Sequence, residues 1–386
     1  MRSETMKNRL SFAFIAFFFV FCASISPSFA IDTDAKQAII IDYNTGAVLF
    51  EKNADTQMPT SSMSKVITMY MVFEALKKGT LSLDDTMMVS EKAWRKKGSK
   101  MFVPVGKQVK VEDLIRGVIV QSGNDATIVL AEGLAGDEDS FAAALNRKAK
   151  SLGMDNSNFM NASGWPDPDH YSTARDLSIL AGAMIKNFPE YYSYYGEKEF
   201  TYSKIRQENR NPLLYRNVGA DGLKTGHTDI GGYGLIGTGV KDDRRVIIVV
   251  NGLESSKARA NEATRLLAWG LNSFRILSLF DGKKDLECAP VYFGAKSTVG
   301  LQAKEPLSFV VPKLFENDLG VKIRYNAPLK APIAKGQEVG VIIVSVPKGG
   351  VVEIPLVTTE AVEALGTFAK VVAKARLLTT GQGRFD

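Results

Sequence analysis

Two residue types on which many hydrolases depend are scarce in this sequence. Its 386 residues include only two histidines, His170 and His227, and only two cysteines. No H-E-x-x-H motif or comparable histidine pair is present, which excludes the usual zinc site of a metallopeptidase, and we expect neither a metal nor a cofactor. The G-x-S-x-G motif of Ser-His-Asp hydrolases is also absent, because the nearest match, Ala162-Ser163-Gly164, lacks the flanking glycine.

The apolar run near the N-terminus is shorter than a membrane-spanning helix requires. It covers 16 residues, Leu10 to Ile25, whereas a bilayer span needs about 20. Basic residues precede the run, and the small residues Ser28 and Ala30 follow it. This pattern predicts that residues 1–30 are a cleaved signal peptide and that the protein is exported, with a membrane anchor as the alternative.

The charge of the remaining chain argues against a nucleic-acid-binding protein, and its cysteine content excludes a disulfide-stabilised one. The whole chain has a net charge of +6, and removal of Arg2, Lys7, Arg9 and Glu4 with the signal segment leaves +4. Such a mild excess is not typical of a nucleic-acid-binding protein. One cysteine remains, Cys288, so no internal disulfide can form.

Residues 31–280 mix short strands with long apolar helices. Gln37 to Asn53 reads as a strand, a turn and a second strand, and Gly231 to Ser255 contains two more strands around a polar turn. A closing helix is predicted over Ala260 to Phe274. Strands at both ends of the region with helices between them indicate an α+β domain, an antiparallel sheet covered by helices.

The last hundred residues differ in pattern. Residues 285–358 are rich in valine and isoleucine and are broken by proline and glycine, which predicts a small all-β, β-sandwich-like domain. Residues 359–386 are predicted to return to an amphipathic helix whose apolar stripe comprises Val362, Leu365, Phe368, Val372 and Ala375. This stripe either packs on its own domain or lies in a membrane interface.

The helix that begins near Ser62 carries hydroxyls and an amine at an otherwise apolar start. Residues three apart share a helix face, so Ser62 and Lys65 are neighbours. Burial disfavours the charged form of the lysine, which could then act as a base toward Ser62, while the helix start favours negative charge there. The alternative is that the serines cap the helix and Lys65 reaches solvent.

Two further motifs add weight to this S-x-x-K pair. By itself the motif is weak, since Ser345 to Lys348 also matches it in a predicted turn between strands. However, Ser122-Gly123-Asn124 stands between an apolar run and a new helix, and Lys224-Thr225-Gly226 lies on a predicted strand. Turn, cap and surface roles are reasonable for each motif separately. The three in this order are the set found in penicillin-binding proteins and class A β-lactamases.

With these three motifs, the sequence resembles the low-molecular-weight penicillin-binding proteins of the D-alanyl-D-alanine carboxypeptidase type. Further segments that carry the resemblance are Tyr171 to Leu177, Ile205 to Asn211, and the stretch APIAKGQEVG in the β region. The resemblance extends over nearly the whole chain. It implies a β-lactamase/transpeptidase-like catalytic domain, a small β domain and a terminal helix that holds the protein, as a peripheral protein, at the periplasmic face of the cytoplasmic membrane.

The resemblance also implies a substrate and a mechanism. The substrate would be the peptidoglycan stem peptide that ends in D-Ala-D-Ala, and β-lactam antibiotics would be inhibitors. Ser62 would attack the penultimate D-Ala carbonyl with Lys65 as base, and the oxyanion would lie between the backbone N–H groups of Ser62 and His227. Ser122 would pass a proton to the leaving amine, and Asn124 would hold Lys65 and the substrate amide.

The third motif would recognise the substrate carboxylate. Lys224 would attract it and would also disfavour protonation of Lys65, while Thr225 and Arg259 would complete the carboxylate site. Gly226 lacks a side chain, so an extended substrate could pair with the strand edge.

Three alternatives remain open from the sequence. A β-lactamase would need a base for deacylation, but the loop from Asn161 to Asp176 contains no glutamate, only Asp167, Asp169 and Asp176; slow deacylation with penicillin is therefore expected. An endopeptidase that cuts cross-links could use the same site with a longer leaving group. A non-catalytic cell-wall scaffold is the third alternative, and the intact motifs argue against it.

Overall fold

The computed structural model of the chain describes residues 31–280, 284–315, 317–346 and 350–380. The predicted signal peptide, residues 1–30, lies outside these ranges. Within them, no helix has both the length and the apolar character needed to cross a membrane.

The first region alternates helices with short strands around one larger sheet. Its elements in chain order are β1 (Gln37–Asp42), β2 (Val48–Lys52), α1 (Lys65–Lys77), β3 (Thr86–Met88), α2 (Glu91–Arg95), β4 (Gln108–Lys110), α3 (Val111–Ile119), α4 (Asn124–Ala135), α5 (Glu138–Ser151), α6 (Ala174–Asn187), α7 (Pro189–Tyr192), β5 (Glu199–Tyr202), β6 (Ile205–Glu208), β7 (Ala220–Thr228), β8 (Gly232–Lys241), β9 (Arg244–Leu253) and α8 (Ser256–Asn272).

The larger sheet is antiparallel and has the strand order β2-β1-β9-β8-β7. Its strands are buried on both faces: Ile39 belongs to the core shared with α1, α3 and α4, and the next residue, Ile40, belongs to the core beneath α8. Alternate side chains of a strand point to opposite faces, so helices can cover both sides of the sheet. The predicted α+β architecture and both predicted strand pairs are confirmed. β7 is an edge strand, which leaves one side of the K-T-G motif free of a neighbouring strand.

The second region consists mostly of strands. Its elements are β10 (Phe274–Phe280), β11 (Glu287–Tyr292), β12 (Thr298–Ala303), β13 (Leu307–Pro312), β14 (Gly320–Tyr325), β15 (Leu329–Lys330), β16 (Glu338–Val346), β17 (Gly350–Thr358) and α9 (Thr367–Thr380). Six of these strands form a sheet in the order β14-β16-β17-β12-β11-β15, while β10 pairs with β13. Ser345 lies inside β16, so the second S-x-x-K match is not at a helix start.

The predicted terminal helix begins later than the sequence indicates. Residues 359–366 are not helical, and Val362 pairs with Ile333 and is buried in the core of the β region. The predicted stripe is therefore wrong in its first part, because helical spacing alone cannot show that Val362 belongs to another core. On α9 itself Phe368 is 83% exposed, and Val371 and Val372 are also exposed.

Candidate active site

The nucleophile turn is the first part of the site. Residues Ser61–Ser64 form a single 3-10 turn that leads directly into α1. Ser61 has φ +50°, a left-handed conformation that costs energy in any residue with a side chain. Gly164 packs against this turn so closely that a Cβ there would lie 1.8 Å from the Ser61 carbonyl oxygen. The loop that contains Gly164 therefore supports the strained turn.

Lys65 is completely buried and makes three polar contacts. Its Nζ atom lies 2.9 Å from Ser62 Oγ, 2.7 Å from Asn124 Oδ1 and 2.6 Å from the Ser163 carbonyl oxygen. The predicted pairing of Ser62 with Lys65 is present in the structure. The two oxygen acceptors hold the amine in place, so that it faces the Ser62 hydroxyl.

Burial is the main cause of the altered chemistry of Lys65. The pKa of Lys65 is lowered from 10.5 to about 7, mainly by desolvation and in addition by the positive charges of Arg210 and Lys96, while Asp125 opposes these effects. A large fraction of Lys65 is therefore unprotonated near neutral pH. An unprotonated amine next to Ser62 Oγ has the protonation state that a general base needs.

The resemblance implies that Lys224 contributes to this effect. The structure attributes it instead to Arg210 and Lys96, while the repulsion between the two lysines lowers the pKa of Lys224. That pKa is well below its usual value because Lys224 is buried and lies near Lys65, Arg210 and Arg259. A substrate carboxylate beside Lys224 would favour its protonated form.

The S-x-N motif forms the second wall of the site. Ser122 is buried and has φ +62°, and α4 begins at Asn124. The Asn124 side chain accepts a hydrogen bond from Lys65 through Oδ1 and donates one from Nδ2 to the Lys97 carbonyl oxygen at 2.9 Å. Its predicted contact with Lys65 is therefore present. The Asp125 carboxylate, which accepts the Met101 backbone N–H, ties the adjacent loop to the start of α4.

The K-T-G motif forms the third wall, on β7. Lys224 and Thr225 are buried there, and Arg259 of α8 donates from Nη1 to the Gly226 carbonyl oxygen at 3.4 Å. A Cβ at Gly226 would lie 2.8 Å from the Thr60 carbonyl oxygen, so β7 can pass close to the nucleophile turn only with glycine at this position. His227 is exposed, and its ring stacks on that of Tyr233 at 3.9 Å.

These walls enclose an open cleft of about 470 Å³. It is lined by Ser62, Ser99, Ser122, Arg210, Thr225, Gly226, His227, Tyr233, Ser256 and Arg259. The predicted residues that do not line it, Lys65, Asn124 and Lys224, lie buried in the walls. All nine predicted residues therefore converge on one place. Among the described residues, no group of three His, Cys, Asp or Glu side chains could hold a metal ion.

Family models match both regions of the chain. Residues 23–255 match the model described as D-alanyl-D-alanine carboxypeptidase, peptidase S11, and residues 275–364 match the model of the C-terminal domain of penicillin-binding protein 5. The chain belongs to the D-alanyl-D-alanine carboxypeptidase family.

Relatives and solved structures of the family are similar to this chain over most of its length. It is 40% identical to the D-alanyl-D-alanine carboxypeptidase DacC of Escherichia coli K12, over 88% of this chain and 86% of that protein. The structure is similar to DacD of Francisella tularensis, with a TM-score of 0.79 and 32% identity over 88% of this chain and 96% of that one. It is also similar to penicillin-binding protein 5 of Haemophilus influenzae, with a TM-score of 0.75 and 35% identity over 87% and 99% of the two chains.

In this member of the carboxypeptidase family, the structure adds site residues that the motifs do not identify. Arg210 lines the cleft and donates a hydrogen bond to Ser99, and Ser163 contributes a backbone oxygen to Lys65. Arg210 lies in the segment Ile205 to Asn211 that carried the resemblance, but no local pattern shows that its side chain reaches the cleft. Ser163 could not have been found by residue type, because any residue supplies a carbonyl.

Proposed function

We propose that this chain is a serine-type D-Ala-D-Ala carboxypeptidase that removes the terminal D-alanine of peptidoglycan stem peptides through an acyl-enzyme on Ser62. The observation that carries the proposal is the 2.9 Å contact between Ser62 Oγ and the Nζ atom of a fully buried lysine whose pKa is about 7. This pair turns a weak nucleophile into a reactive one. Family membership agrees with the same chemistry.

Acylation would proceed by transfer of one proton to Lys65. As Ser62 Oγ bonds to the carbonyl carbon of the penultimate D-alanine, its hydrogen moves to Lys65 Nζ. The carbonyl oxygen takes up the negative charge between the backbone N–H groups of Ser62 and His227. The C–N bond then breaks, and the proton passes from Lys65 through the Ser122 hydroxyl to the nitrogen of the departing D-alanine. Water later cleaves the Ser62 ester and restores the enzyme.

The cations of the cleft support a substrate with a free terminal carboxylate. Thr225, Arg259 and Arg210 line the same cleft, and Lys224 is buried close enough to Arg210 and Arg259 for their charges to lower its pKa. Arg259 and Arg210 have lowered pKa values because they are partly desolvated, which is a cost that a bound carboxylate would offset. This cluster favours release of a single terminal residue over cleavage within a longer chain.

The loop aspartates do not support rapid hydrolysis of a penicillin adduct. The Asp176 carboxylate is buried and accepts hydrogen bonds from the Asn156 backbone N–H at 2.9 Å and from the Ser157 hydroxyl at 2.6 Å. Asp167 accepts the Asp169 backbone N–H. Both carboxylates organise the loop, as aspartates in turns commonly do. We therefore expect penicillin to remain bound to Ser62, which would make the protein a penicillin target.

The location of the protein is the last part of the proposal. We infer that it is exported and lies at the periplasmic face of the cytoplasmic membrane, held at the surface by α9. The exposed Phe368, Val371 and Val372 on this helix support an interfacial position, because no other described part of the chain covers them.

The test is the intact mass of the mature chain after brief exposure to benzylpenicillin, followed for an hour. An adduct that persists on the wild type and is absent from Ser62→Ala, together with release of D-alanine from a peptide ending in D-Ala-D-Ala, is the expected result. An adduct that disappears while penicillin is consumed would mean a β-lactamase. A folded protein that forms no adduct and releases no D-alanine would be a scaffold.

A further inference from the structure

His170 is a buried titratable side chain that the mechanism above does not use. It is 5% exposed and lies outside the lining of the catalytic cleft. Its ring packs edge-on against that of Phe159, with the two centroids 5.5 Å apart. Burial of an imidazole costs free energy unless its polar atoms are hydrogen-bonded. The partners of its two ring nitrogens therefore indicate what the side chain does.

The hydrogen bonds of His170 fix which ring nitrogen carries the proton. Nδ1 lies 3.1 Å from the Met160 backbone nitrogen, and Nε2 lies 2.8 Å from Ser64 Oγ. A backbone N–H can only donate, so Nδ1 is the unprotonated acceptor. Burial lowers the pKa of His170 to about 4, against the opposing charge of Asp167, so the ring is neutral near pH 7. Its one hydrogen is therefore on Nε2, and His170 donates it to Ser64.

Ser64 connects this histidine to the nucleophile turn. Because its hydroxyl accepts from His170, it can donate its own hydrogen to Thr60 Oγ1, which lies 2.5 Å away. Ser64 and Thr60 are both completely buried. Thr60 immediately precedes the turn Ser61–Ser64, and Ser64 is its last residue. The bond between the two hydroxyls therefore closes the turn that contains Ser62.

The Ser64 hydroxyl is not used as a helix cap. Ser64 is the N-cap residue of α1, a position at which a serine side chain commonly accepts a backbone N–H of the first helical turn. Its side chain makes no such bond here. The contacts with Thr60 and His170 take the place of the cap, which favours a role in placing the turn over a role in stabilising α1.

The position of Ser64 bears directly on the catalytic contact between Ser62 and Lys65. Ser64 lies two residues after Ser62 and immediately before Lys65. Lys65 Nζ is also held by the Asn124 side chain and the Ser163 carbonyl oxygen, so Ser62 is the partner that moves when Ser64 shifts. Misplacement of a reacting group by about 1 Å can lower a rate by roughly a hundredfold.

We propose that His170 is a positioning residue for the nucleophile: through Ser64 it fixes the turn that presents the Ser62 hydroxyl to Lys65. The proposal rests on the proposed function, because it needs Ser62 to be the nucleophile. His170 neither gives nor takes a proton in the reaction. It affects the rate constant of acylation rather than the affinity for the substrate, because it lies outside the catalytic cleft.

Acylation of the mature chain by benzylpenicillin over a range of concentrations tests the proposal. It separates the dissociation constant of the initial complex from the rate constant of acylation. His170→Asn retains an oxygen near the place of Nδ1 but does not reach Ser64, and it should lower the rate constant by roughly tenfold to a hundredfold with the dissociation constant unchanged. His170→Gln, whose longer amide can donate near the place of Nε2, should restore most of the rate.

A double variant decides whether the two residues act along one path. Ser64→Ala should lower the rate constant as much as His170→Asn does. If His170 acts through Ser64, the variant that combines both substitutions should acylate no more slowly than either single variant. Losses that multiply would mean that His170 acts elsewhere, for example by holding the loop at Met160, and would overturn the proposal.

Ser172→Ala is the matched control. Ser172 is also a completely buried serine, two residues from His170, and its hydroxyl lies 2.7 Å from the Ser157 hydroxyl. This variant should keep the wild-type rate constant, and an equal loss would overturn the proposal because loosening of the loop would then suffice. If His170→Asn does not fold, Thr60→Val and Ser64→Ala each break the path without altering the histidine, and wild-type rates in both would overturn it.

Failure of this proposal can be told apart from failure of the proposed function. If benzylpenicillin acylates Ser62 of the wild type, and His170→Asn and Ser64→Ala react at the same rate, His170 does not position the nucleophile. The carboxypeptidase activity would still stand. If the wild type forms no adduct and releases no D-alanine, the proposed function fails and the role of His170 fails with it.

Discussion

The reactivity of Ser62 depends on the protonation state of a single side chain. Lys65 can accept the Ser62 proton only when it is itself unprotonated, and its pKa is about 7. Acylation should therefore be fast above this pH and should fall by about tenfold per pH unit below it. The rate constant for benzylpenicillin acylation, measured from pH 5 to 9, should show an acid limb with a midpoint near 7.

The midpoint of this acid limb should shift when a positive charge near Lys65 is removed. Lys96 lowers the pKa of Lys65, so Lys96→Gln should make Lys65 easier to protonate and shift the midpoint to higher pH. Lys107→Gln, which removes a charge from an exposed lysine that has no such effect on Lys65, is the control. An unshifted midpoint in Lys96→Gln would mean that Lys96 does not influence the base.

Gly164 should be indispensable for two separable reasons. It has φ +76°, and a Cβ would collide with the Ser61 carbonyl oxygen. Gly79 has φ +70° and open space around the same position, so Gly79→Ala measures the conformational cost alone, roughly 1–2 kcal/mol. Gly164→Ala should cost more in the free energy of unfolding and should also lose acylation by benzylpenicillin, because the turn that presents Ser62 must move. Equal effects of the two substitutions would contradict this role.

At the scale of elements, a buried ion pair joins the sheet to the helix that covers it. Asp42 of β1 and Arg244 of β9 are both buried and paired, and Arg244 Nη1 also donates to the Gly270 carbonyl oxygen in α8 at 2.7 Å. Loss of one partner leaves the other charge buried without compensation. The pair therefore holds three elements together at the end of the sheet.

Asp42→Ala should lower the free energy of unfolding by about 3–5 kcal/mol. The control is Glu199→Ala, which breaks the exposed pair between Glu199 and Arg206 and should cost no more than about 1 kcal/mol. Urea unfolding measures both changes, and acylation at low temperature should be retained because neither residue lies in the cleft. A cost below 1 kcal/mol for Asp42→Ala would show that water reaches Arg244.

At the scale of the whole molecule, the boundary between the β region and the terminal helix determines where the chain can be truncated without opening the core of the β region. The backbone of Val362 pairs with Ile333, and the Leu365 N–H donates to the Phe293 carbonyl oxygen at 2.8 Å. Residues up to Gly366 therefore belong to the β region. The exposed large apolar side chains of α9 begin at Phe368.

Removal of residues 367–386 should move the protein from the membrane fraction to the soluble fraction without a change in the D-alanine release rate. Removal of residues 359–386 should also lower the melting temperature, because it opens the core around Val362. Cell fractionation and thermal unfolding of the two truncated chains check these outcomes. A chain ending at Gly366 that stays with the membrane would show that α9 is not the anchor.

Much of this site follows from local sequence. A spacing of three residues places Ser62 and Lys65 on one side of a helix, and a strand places Lys224, Thr225 and Gly226 in a fixed order, because helix and strand geometry are set by neighbouring residues. The paired strands of the first sheet could be predicted for this reason. The order of the three motifs is read directly from the sequence, and the family follows from that order. The start of α9 could not, since the burial of Val362 depends on Ile333 far back in the chain.

The chain order of nucleophile, S-x-N loop and K-T-G strand, and hence the class of reaction, was set by the amino-acid sequence alone. The pKa of Lys65 and the place of Arg210 in the cleft were set by folding. Desolvation and charge interactions act through space: Lys65 reaches Asn124 across 59 positions of the chain and Ser163 across 98. No local pattern contains those distances, so the protonation state that makes Ser62 reactive exists only in the folded protein.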